Sequence, residues 1–249
     1  MVGIVFRGVV ILGLMYLVFW KWMRPKIQKY RVPNIRNSKA NPFGEMRATG
    51  LTYLVFGFFS AILVCLDEWY GYSKMYTDVN EMGWAYTLIS APLFIFFIDA
   101  TFYWSHILMH RSPFFWKAHE KHHTFINVTP WAAYAFHLGE AVINAGLLFT
   151  MLVVFPWHPY AMLAFSLLTI SYNGMLHSGF DFMPKSWRKH PILKFMNTPS
   201  HHIYHHQRGD CNFAFFFTFW DKWMGTERLP EYYYDSTLDS SEDLEKSVG

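Results

Sequence analysis

Nine of the thirteen histidines fall in three short stretches of the chain. The stretches are His106–His110, His119–His123 and His201–His206, and together they cover 16 of 249 residues. Inside each stretch, histidines recur three or four residues apart, a spacing that places side chains on one face of an α-helix. Imidazoles presented in this way bind a transition metal, as they do in helical zinc sites. The pattern therefore predicts helices that carry metal ligands.

The number of histidines indicates more than one metal ion. A structural zinc ion is saturated by four ligands, so nine or ten histidines exceed a single site and suit two metal ions with open coordination positions. His158 and His190 stand apart from the clusters, in a turn and in a polar loop. We interpret these two as structural histidines.

The elements that must position these clusters are apolar helices. The chain is 53% hydrophobic, 20% aromatic and 16% charged, whereas soluble domains carry roughly 25% charged residues. Pro156 and Pro159 interrupt the last apolar run and predict a hairpin of two short spans there. The sequence predicts an all-α integral membrane protein, with four to five apolar helical passes and a cytosolic helical cap that carries the histidines. The apolar runs lie at residues 2–20, 51–66, 82–105 and 141–180.

Charge placement orients these passes. Residues 21–50, 106–140 and 178–249 hold 19 of the 21 lysines and arginines. Because positive loops stay in the cytosol, this asymmetry predicts an outside N-terminus and places all three histidine clusters on the cytosolic side. The membrane would be that of the endoplasmic reticulum or the bacterial inner membrane. A net charge of +3, so unevenly placed, gives no reason to expect a nucleic-acid partner.

We expect one membrane domain over residues 1–249. The end of the chain, residues 231–249, is acidic and rich in serine. That composition is typical of a disordered tail.

Two segments resemble a known family. The first is DATFYWSHILMHRSPFFWKAHEKHHTFINVTPWAAYAFH, residues 99–137, and the second is NTPSHHIYHHQRGDCNFAFFFTFWDKWMGT, residues 197–226. In motif content and order they are similar to the sterol desaturase and fatty acid hydroxylase superfamily. The resemblance covers about residues 90–228 and implies that this range is the histidine-bearing catalytic core. The details TPWAAYAFH and SHHIYHH are most similar to the sterol C-5 desaturase branch. Ile107 and Ala214 depart from the family pattern, which often has Arg and Gly there.

The resemblance implies a non-haem centre of two iron ions that uses dioxygen to hydroxylate or desaturate a lipid, either a sterol or a long-chain lipid. Zinc also binds all-imidazole sites, so purified protein can contain it. The sequence leaves open which lipid is oxidised and whether the product is a hydroxyl group or a double bond. The implied metal ligands are His106, His110, His119, His122, His123, His177, His202, His205 and His206.

Three further residues are candidates for supporting roles. Asp99 lies two helical turns before His106, where its carboxylate would accept a histidine N–H and fix the tautomer. His201 adjoins a ligand but points about 100° away from it on a helix. His137 ends the TPWAAYAFH segment, and the sequence leaves open whether it binds metal or orients a ligand.

The reaction needs electrons from a partner. The chain shows no GxGxxG fingerprint and no haem or cysteine-cluster motif, so we expect an external donor of the cytochrome b5 or ferredoxin type, with its reductase. A basic stretch would dock an acidic carrier or bind anionic lipid. Its residues are Lys185, Arg188, Lys189 and Lys194.

The histidine clusters allow two alternative functions. One is that of an acyl-lipid desaturase, from the other large family with clustered histidine motifs, and the other is that of a histidine-rich metal transporter.

A lipid substrate would enter sideways from the bilayer, because drawing an apolar chain through water costs about 0.8 kcal/mol per CH₂. Such entry requires an apolar cavity between the spans. We expect Phe58, Phe94, Phe97 and Phe165 to line it.

Overall fold

The structure, a computed structural model, describes residues 2–33 and 36–229. These residues form α-helices, loops and short 3₁₀ segments, with no β-strand among them. A π-helical segment, Leu17–Trp22, continues the first helix. The α-helices are α1 (Val2–Tyr16), α2 (Arg24–Ile27), α3 (Pro42–Tyr70), α4 (Gly83–Arg111), α5 (Pro113–His123), α6 (Leu138–Val154), α7 (Pro159–Leu176), α8 (Pro199–Arg208) and α9 (Phe219–Met224).

The predicted all-α membrane architecture is confirmed. Three helical segments are long and apolar enough to cross a membrane: Val5–Trp22, α3 and α4. Helices α6 and α7 have 17 and 18 residues, which gives them lengths of about 25–27 Å, slightly less than the roughly 30 Å of a bilayer core. They complete the bundle as the short pair expected from the fourth apolar run. The acidic tail, residues 231–249, lies outside the described residues.

Helix α4 extends beyond the apolar run that predicted it. The run ends near Ser105, but the helix continues to Arg111 and therefore carries His106 and His110 on its last turns. The polar side chains after Ser105 do not end α4, because a helix continues beyond the apolar layer as long as its backbone stays helical. The helix ends before Pro113, because the residue before a proline is pushed out of the helical region. That residue, Ser112, is extended, with φ −99° and ψ 121°.

Single-residue connections and capped ends fix the histidine-bearing helices. Ser112 alone joins α4 to α5, so the chain reverses abruptly and brings the two helices together. Helix α8 begins at Pro199 after the cap Thr198 and ends at Gly209, whose φ of 77° favours glycine. The chain then returns immediately past the helix that it has just left.

The α6–α7 hairpin turns where the prolines predict. Helix α6 ends at Val154 and α7 begins at Pro159. His158 caps the start of α7 by accepting a hydrogen bond from the Tyr160 amide. Both helices pack on α4, but their other partners differ: α6 packs on α3, and α7 packs on α1. This divergence opens space between consecutive helices.

An aromatic core joins the N-terminal helices to the 3₁₀ segment Pro130–Tyr134. The rings of Tyr53 and Tyr134 stack with centroids 5.4 Å apart, and Phe56 meets Tyr134 edge to face at 6.2 Å. Helix α1 crosses this core at Gly8. A Cβ atom there would lie 1.9 Å from the Tyr53 hydroxyl oxygen, so only glycine allows the crossing.

We therefore expect Gly8→Ala to destabilise the protein by about 1–3 kcal/mol, because the buried Tyr53 ring has no room to move. Gly146→Ala on α6 is the matched control, since a Cβ atom there meets nothing within 4 Å. Thermal unfolding of the two variants in detergent measures the difference. Equal midpoints would contradict the observed crossing of α1 over Tyr53.

Candidate metal centre

The nine histidines predicted as ligands converge in two groups. Within each group, every histidine offers one ring nitrogen, and these nitrogens lie within 4.8 Å of one another. The first group joins α4, α5 and α8, and the second joins α5, α8 and the end of α7. The first group is His106, His110, His119, His123 and His205; the second is His122, His177, His202 and His206.

Helical periodicity divides the histidines between the two groups. On α5, His119 and His123 are four residues apart and share the first group, while His122 turns to the second. On α8 the arrangement is reversed, with His202 and His206 in the second group and His205 in the first. The groups adjoin, because the ring centroids of His122 and His123 lie 4.5 and 5.0 Å from that of His206.

The nitrogen spacing in both groups fits metal coordination. In the first group, Nε2 of His119 lies 3.1 Å from Nε2 of both His106 and His123. In the second, Nε2 of His177 lies 3.0 Å from that of His202 and 3.3 Å from that of His206. Metal–nitrogen bonds of about 2.0–2.1 Å place neighbouring ligands about 3.0–3.4 Å apart. Ions of this size therefore fit both groups.

The outer ring nitrogens show why these inner contacts need a cation. Nδ1 of His106 donates to the Phe213 carbonyl at 2.8 Å, and Nδ1 of His119 lies 2.8 Å from Oε1 of Glu140. The Phe213 carbonyl and the Glu140 carboxylate each favour a proton on the outer nitrogen of the neighbouring ring, so the facing Nε2 atoms of His106 and His119 both carry lone pairs. Two lone pairs 3.1 Å apart repel each other, and a bound cation turns that repulsion into attraction.

Other buried nitrogens follow the same pattern. Nδ1 of His205 donates to the Cys211 carbonyl at 2.6 Å, and Nδ1 of His177 donates to the Asn173 carbonyl at 2.9 Å. Nε2 of His110 and Nε2 of His205 are buried and have no hydrogen-bond partner. Buried polar atoms are seldom left unpaired, so these nitrogens also fit metal ligands.

Burial keeps the imidazoles of α5 and α8 neutral. Removal from water lowers the pKa of His205 to about 4. It holds the pKa values of the other α5 and α8 ligands well below 6.5, and repulsion by neighbouring histidines lowers them further. Neutral imidazole is the form that binds a metal ion.

Glu140 is a site residue that the sequence analysis missed. It lies in the first turn of α6 and is 1% exposed, with its carboxylate against Nδ1 of His119. A carboxylate in this position fixes the orientation and tautomer of a ligating histidine and increases its basicity. The available signal was a single acidic residue at the start of a long charge-free run, residues 141–180.

Asp99 does not make the histidine contact expected from its spacing. Its carboxylate accepts hydrogen bonds from the amides of Phe216 and Phe217 and from the indole N–H of Trp220. The carboxylate is directed to the chain after α8 because this chain passes beside α4. Asp99 therefore influences the centre through the segment 211–217.

That segment supplies backbone acceptors to the first histidine group. The carbonyls of Cys211 and Phe213 receive the His205 and His106 N–H groups. Asp221 anchors the segment by accepting from the amides of Phe213 and Ala214 at 2.8 and 2.9 Å. Two buried carboxylates, those of Asp99 and Asp221, thus hold the segment in place.

His201 and His137 lie outside both groups. Nδ1 of His201 lies 2.9 Å from the Thr198 hydroxyl oxygen, and its Nε2 is 3.6 Å from Glu227. The exposed His137 caps α6 by accepting from the Gly139 amide at 3.1 Å. His137 is therefore no ligand in this arrangement.

An open apolar cavity reaches both histidine groups, with about 970 Å³ of empty space when the solvent at its opening is included. Of the four phenylalanines expected in its wall, only Phe165 lines it. Phe58 faces outward and is 62% exposed, while Phe94 packs on Phe165 and Phe97 packs on Phe155. Sequence position did not specify which helix face is directed inward. The wall includes Tyr53, Phe56, Ile98, Phe102, Tyr134, Phe136, Leu147, Leu148, Phe165 and Ile170.

Comparisons with known proteins agree with this site. The fatty acid hydroxylase family model matches residues 91–226, which is more than half of the chain and contains all nine histidines. The chain therefore belongs to the fatty acid hydroxylase family, as its motifs predict. No solved structure matches the chain.

Curated relatives include sterol-oxidising enzymes. A Delta(7)-sterol 5(6)-desaturase of Gibberella zeae is 31% identical over 165 residues, covering 66% of this chain and 50% of the relative. Lathosterol oxidase of Mus musculus is 31% identical over 167 residues, covering 66% and 54%. A Delta(7)-sterol 5(6)-desaturase of Schizosaccharomyces pombe is 31% identical over 180 residues, covering 72% and 57%. The chain spans about half the length of these relatives.

The Glu140 contact leads to a prediction about metal affinity. Glu140→Gln should weaken metal binding by about 10- to 100-fold, because the neutral amide stabilises the ligating form of His119 less well. Competition between the protein and a chromogenic chelator for cobalt(II) measures the change. Glu120→Gln, at an exposed position beside His119, is the control. Equal affinities in the two variants would exclude a role for Glu140 in metal binding.

Proposed function

We propose that the protein is a membrane-bound oxidoreductase that uses dioxygen and external electrons to hydroxylate or desaturate a sterol or another long-chain lipid. The observation that carries this proposal is the apolar cavity, because histidines of both groups form part of its wall. Membership of a family whose relatives are named as sterol desaturases supports the same conclusion. A polar substrate would not match this lining.

The metal we propose is iron, one ion in each histidine group. Imidazole sites bind several transition metals, so the ligands alone do not select iron. The proposed substrate favours iron, because a lipid offers unactivated C–H bonds. Bound iron would supply the redox chemistry that activates dioxygen for C–H cleavage. The chain contributes the rest of the site: nine ligands, the hydrogen bonds that orient His106, His177 and His205, and an apolar wall.

The cavity also supports a route for the substrate. Leu148 on α6 and Ser166 on α7 line it and are partly exposed. We infer that the lipid enters between these two helices directly from the bilayer. This route avoids the cost of moving apolar surface through water, about 25 cal/mol per Å².

Residues 1–249 act as one domain in this proposal, with the catalytic core at 90–228. Tyr53 and Phe56 of α3 line the cavity although they precede the range that the family model matches. The N-terminal helices therefore complete the substrate site rather than forming a separate anchor.

Electrons would arrive from the cytosolic side. The charge asymmetry of the loops supports that orientation in the endoplasmic reticulum or the bacterial inner membrane. An acidic carrier of the cytochrome b5 or ferredoxin type, with its reductase, suits the basic surface that this orientation exposes.

Replacing a ligand should abolish lipid oxidation without preventing membrane insertion. We expect His122→Ala and His205→Ala, one from each group, to fall below about 1% of wild-type activity, since even outer partners of a metal site contribute 10- to 100-fold. His158→Ala is the control, because His158 caps α7 and bonds the Thr77 carbonyl far from both groups. It should lose about 1 kcal/mol of stability and keep its activity.

Lipid extracts of cells that express each variant, compared by mass for a gain of one oxygen or a loss of two hydrogens, measure this activity. Equal loss in all three variants would mean that the histidines have a structural role. Metal analysis of the purified variants shows whether each group holds its own ion.

Filling the cavity should change substrate acceptance before it changes metal content. We expect Leu148→Trp to reduce turnover of a sterol at least about tenfold, because overpacking a cavity costs about 1–3 kcal/mol, and to leave the metal content unchanged. Leu168→Trp is the matched control, since Leu168 is 55% exposed on α7 and lies outside the cavity wall. Lipid turnover and metal analysis on the same preparations test this. Unchanged turnover in Leu148→Trp would show that the cavity does not hold the substrate during catalysis.

A further inference from the structure

The two histidine groups differ in their exposure. In the first group, His110 and His123 are half-buried, whereas the other three histidines are buried. In the second group all four histidines are buried. A ligand that reaches the surface gives water or a chelating molecule a point of attack on a bound ion. The first group is therefore open to approach from the surface at His110 and His123.

A tryptophan covers these two half-buried histidines. The ring centroid of Trp116 lies 5.2 Å from that of His110 and 5.6 Å from that of His123. Within the described residues, every aromatic ring that contacts Trp116 is a histidine of the first group, the third being His119 at 6.2 Å. Trp116 is itself half-buried. This one side chain therefore lies at the boundary between the first group and the surface.

The surface beside Trp116 is in contact with water. Lys117, Glu120 and Lys121 lie on the same helix, α5, and are exposed, and charged side chains of this kind stay in water. Neither Trp116 nor the two half-buried histidines line the apolar cavity. The histidines that do line it are His106, His119, His122, His177 and His202. The aqueous surface and the cavity therefore reach the centre at different histidines.

Of these two approaches, only the aqueous one suits a metal ion. Moving an unpaired charge into an apolar space is very costly, so an ion does not reach the second group through the cavity. At Trp116, by contrast, water keeps an ion solvated until the histidine nitrogens replace its water molecules. The physical chemistry of the two approaches therefore separates the two groups in how readily they exchange an ion.

We propose that the first group exchanges its metal ion with the aqueous phase past Trp116, which acts as a lid, while the second group retains its ion. Rotation of one side chain uncovers His110 and His123. Release from the second group requires movement of α5, α8 and the end of α7, which carry its ligands. One ion is thus replaceable in the folded protein, and the other is kept. This inference rests on the proposed function, through its two-metal centre.

The test follows the release of cobalt(II), whose absorption reports bound ions without turnover. Full-length protein in lipid nanodiscs is loaded with two equivalents of cobalt(II) and mixed with excess EDTA. We expect one equivalent to leave at least about tenfold faster than the other, because opening one side chain costs less free energy than separating packed helices. His110→Ala should abolish the fast phase and His202→Ala the slow phase, which assigns each phase to a group.

Replacing the lid should affect only the fast phase. We expect Trp116→Ala to accelerate it by roughly two- to tenfold, because the ring contacts over His110 and His123 are lost, and to leave the slow phase unchanged. Trp116→Phe keeps a ring and should fall between this variant and wild type. Phe114→Ala is the matched control, since Phe114 lies on the same helix and is 78% exposed. Both phases should keep their wild-type rates in this control.

Release of both ions at one rate in the wild type would overturn the proposal. Equal acceleration of both phases by Trp116→Ala, or unchanged rates in both Trp116 variants, would overturn the role of Trp116 as a lid. If Trp116→Ala does not fold, Trp116→Phe decides the question. Binding of fewer than two ions by the wild type would contradict the two-metal centre of the proposed function, and this inference with it.

Discussion

The structure depends on holding nine imidazoles with their nitrogens directed inward in a space shielded from water. Nε2 of His106 and Nε2 of His119 approach to 3.1 Å with lone pairs facing, and these lone pairs repel each other. The arrangement is therefore costly until a cation occupies it, and the surrounding fold must resist its relaxation. The single-residue turn at Ser112 and the capped ends of α8 provide that rigidity, because they fix α4, α5 and α8, the helices on which eight of the nine histidines lie.

Three buried carboxylates connect this centre to the rest of the protein. Glu140 contacts a histidine directly, whereas Asp99 and Asp221 hold the segment whose carbonyls orient His106 and His205. A carboxylate away from water is costly unless its oxygens are paired. Asp99 and Asp221 satisfy that requirement with backbone amides. The second oxygen of Glu140 has no hydrogen-bond partner, so this carboxylate depends on its contact with His119.

The sequence predicted the features that depend on local patterns. Helical spacing identified eight of the nine histidines that converge, and the family resemblance added His177. Apolar runs with proline breaks predicted the membrane helices and the α6–α7 hairpin. It also separated His158 from the clusters, and the structure shows that residue capping α7. These predictions succeed because helix periodicity and hydrophobic length act within a few turns of one chain segment. The resemblance carried by residues 99–137 and 197–226 gave the family on the same local evidence.

Only the tertiary structure decided which distant groups meet. The sequence paired Asp99 with His106 from their spacing on one helix, but the carboxylate faces the returning chain at Phe216 and Trp220, 117 and 121 residues away. It likewise gave no reason to connect Glu140 with His119. It also placed Phe58, Phe94 and Phe97 in a cavity wall that they do not form. Contacts across helices depend on rotation about the helix axis and on the divergence of α6 from α7, and both are set by packing against the other helices rather than by residue order.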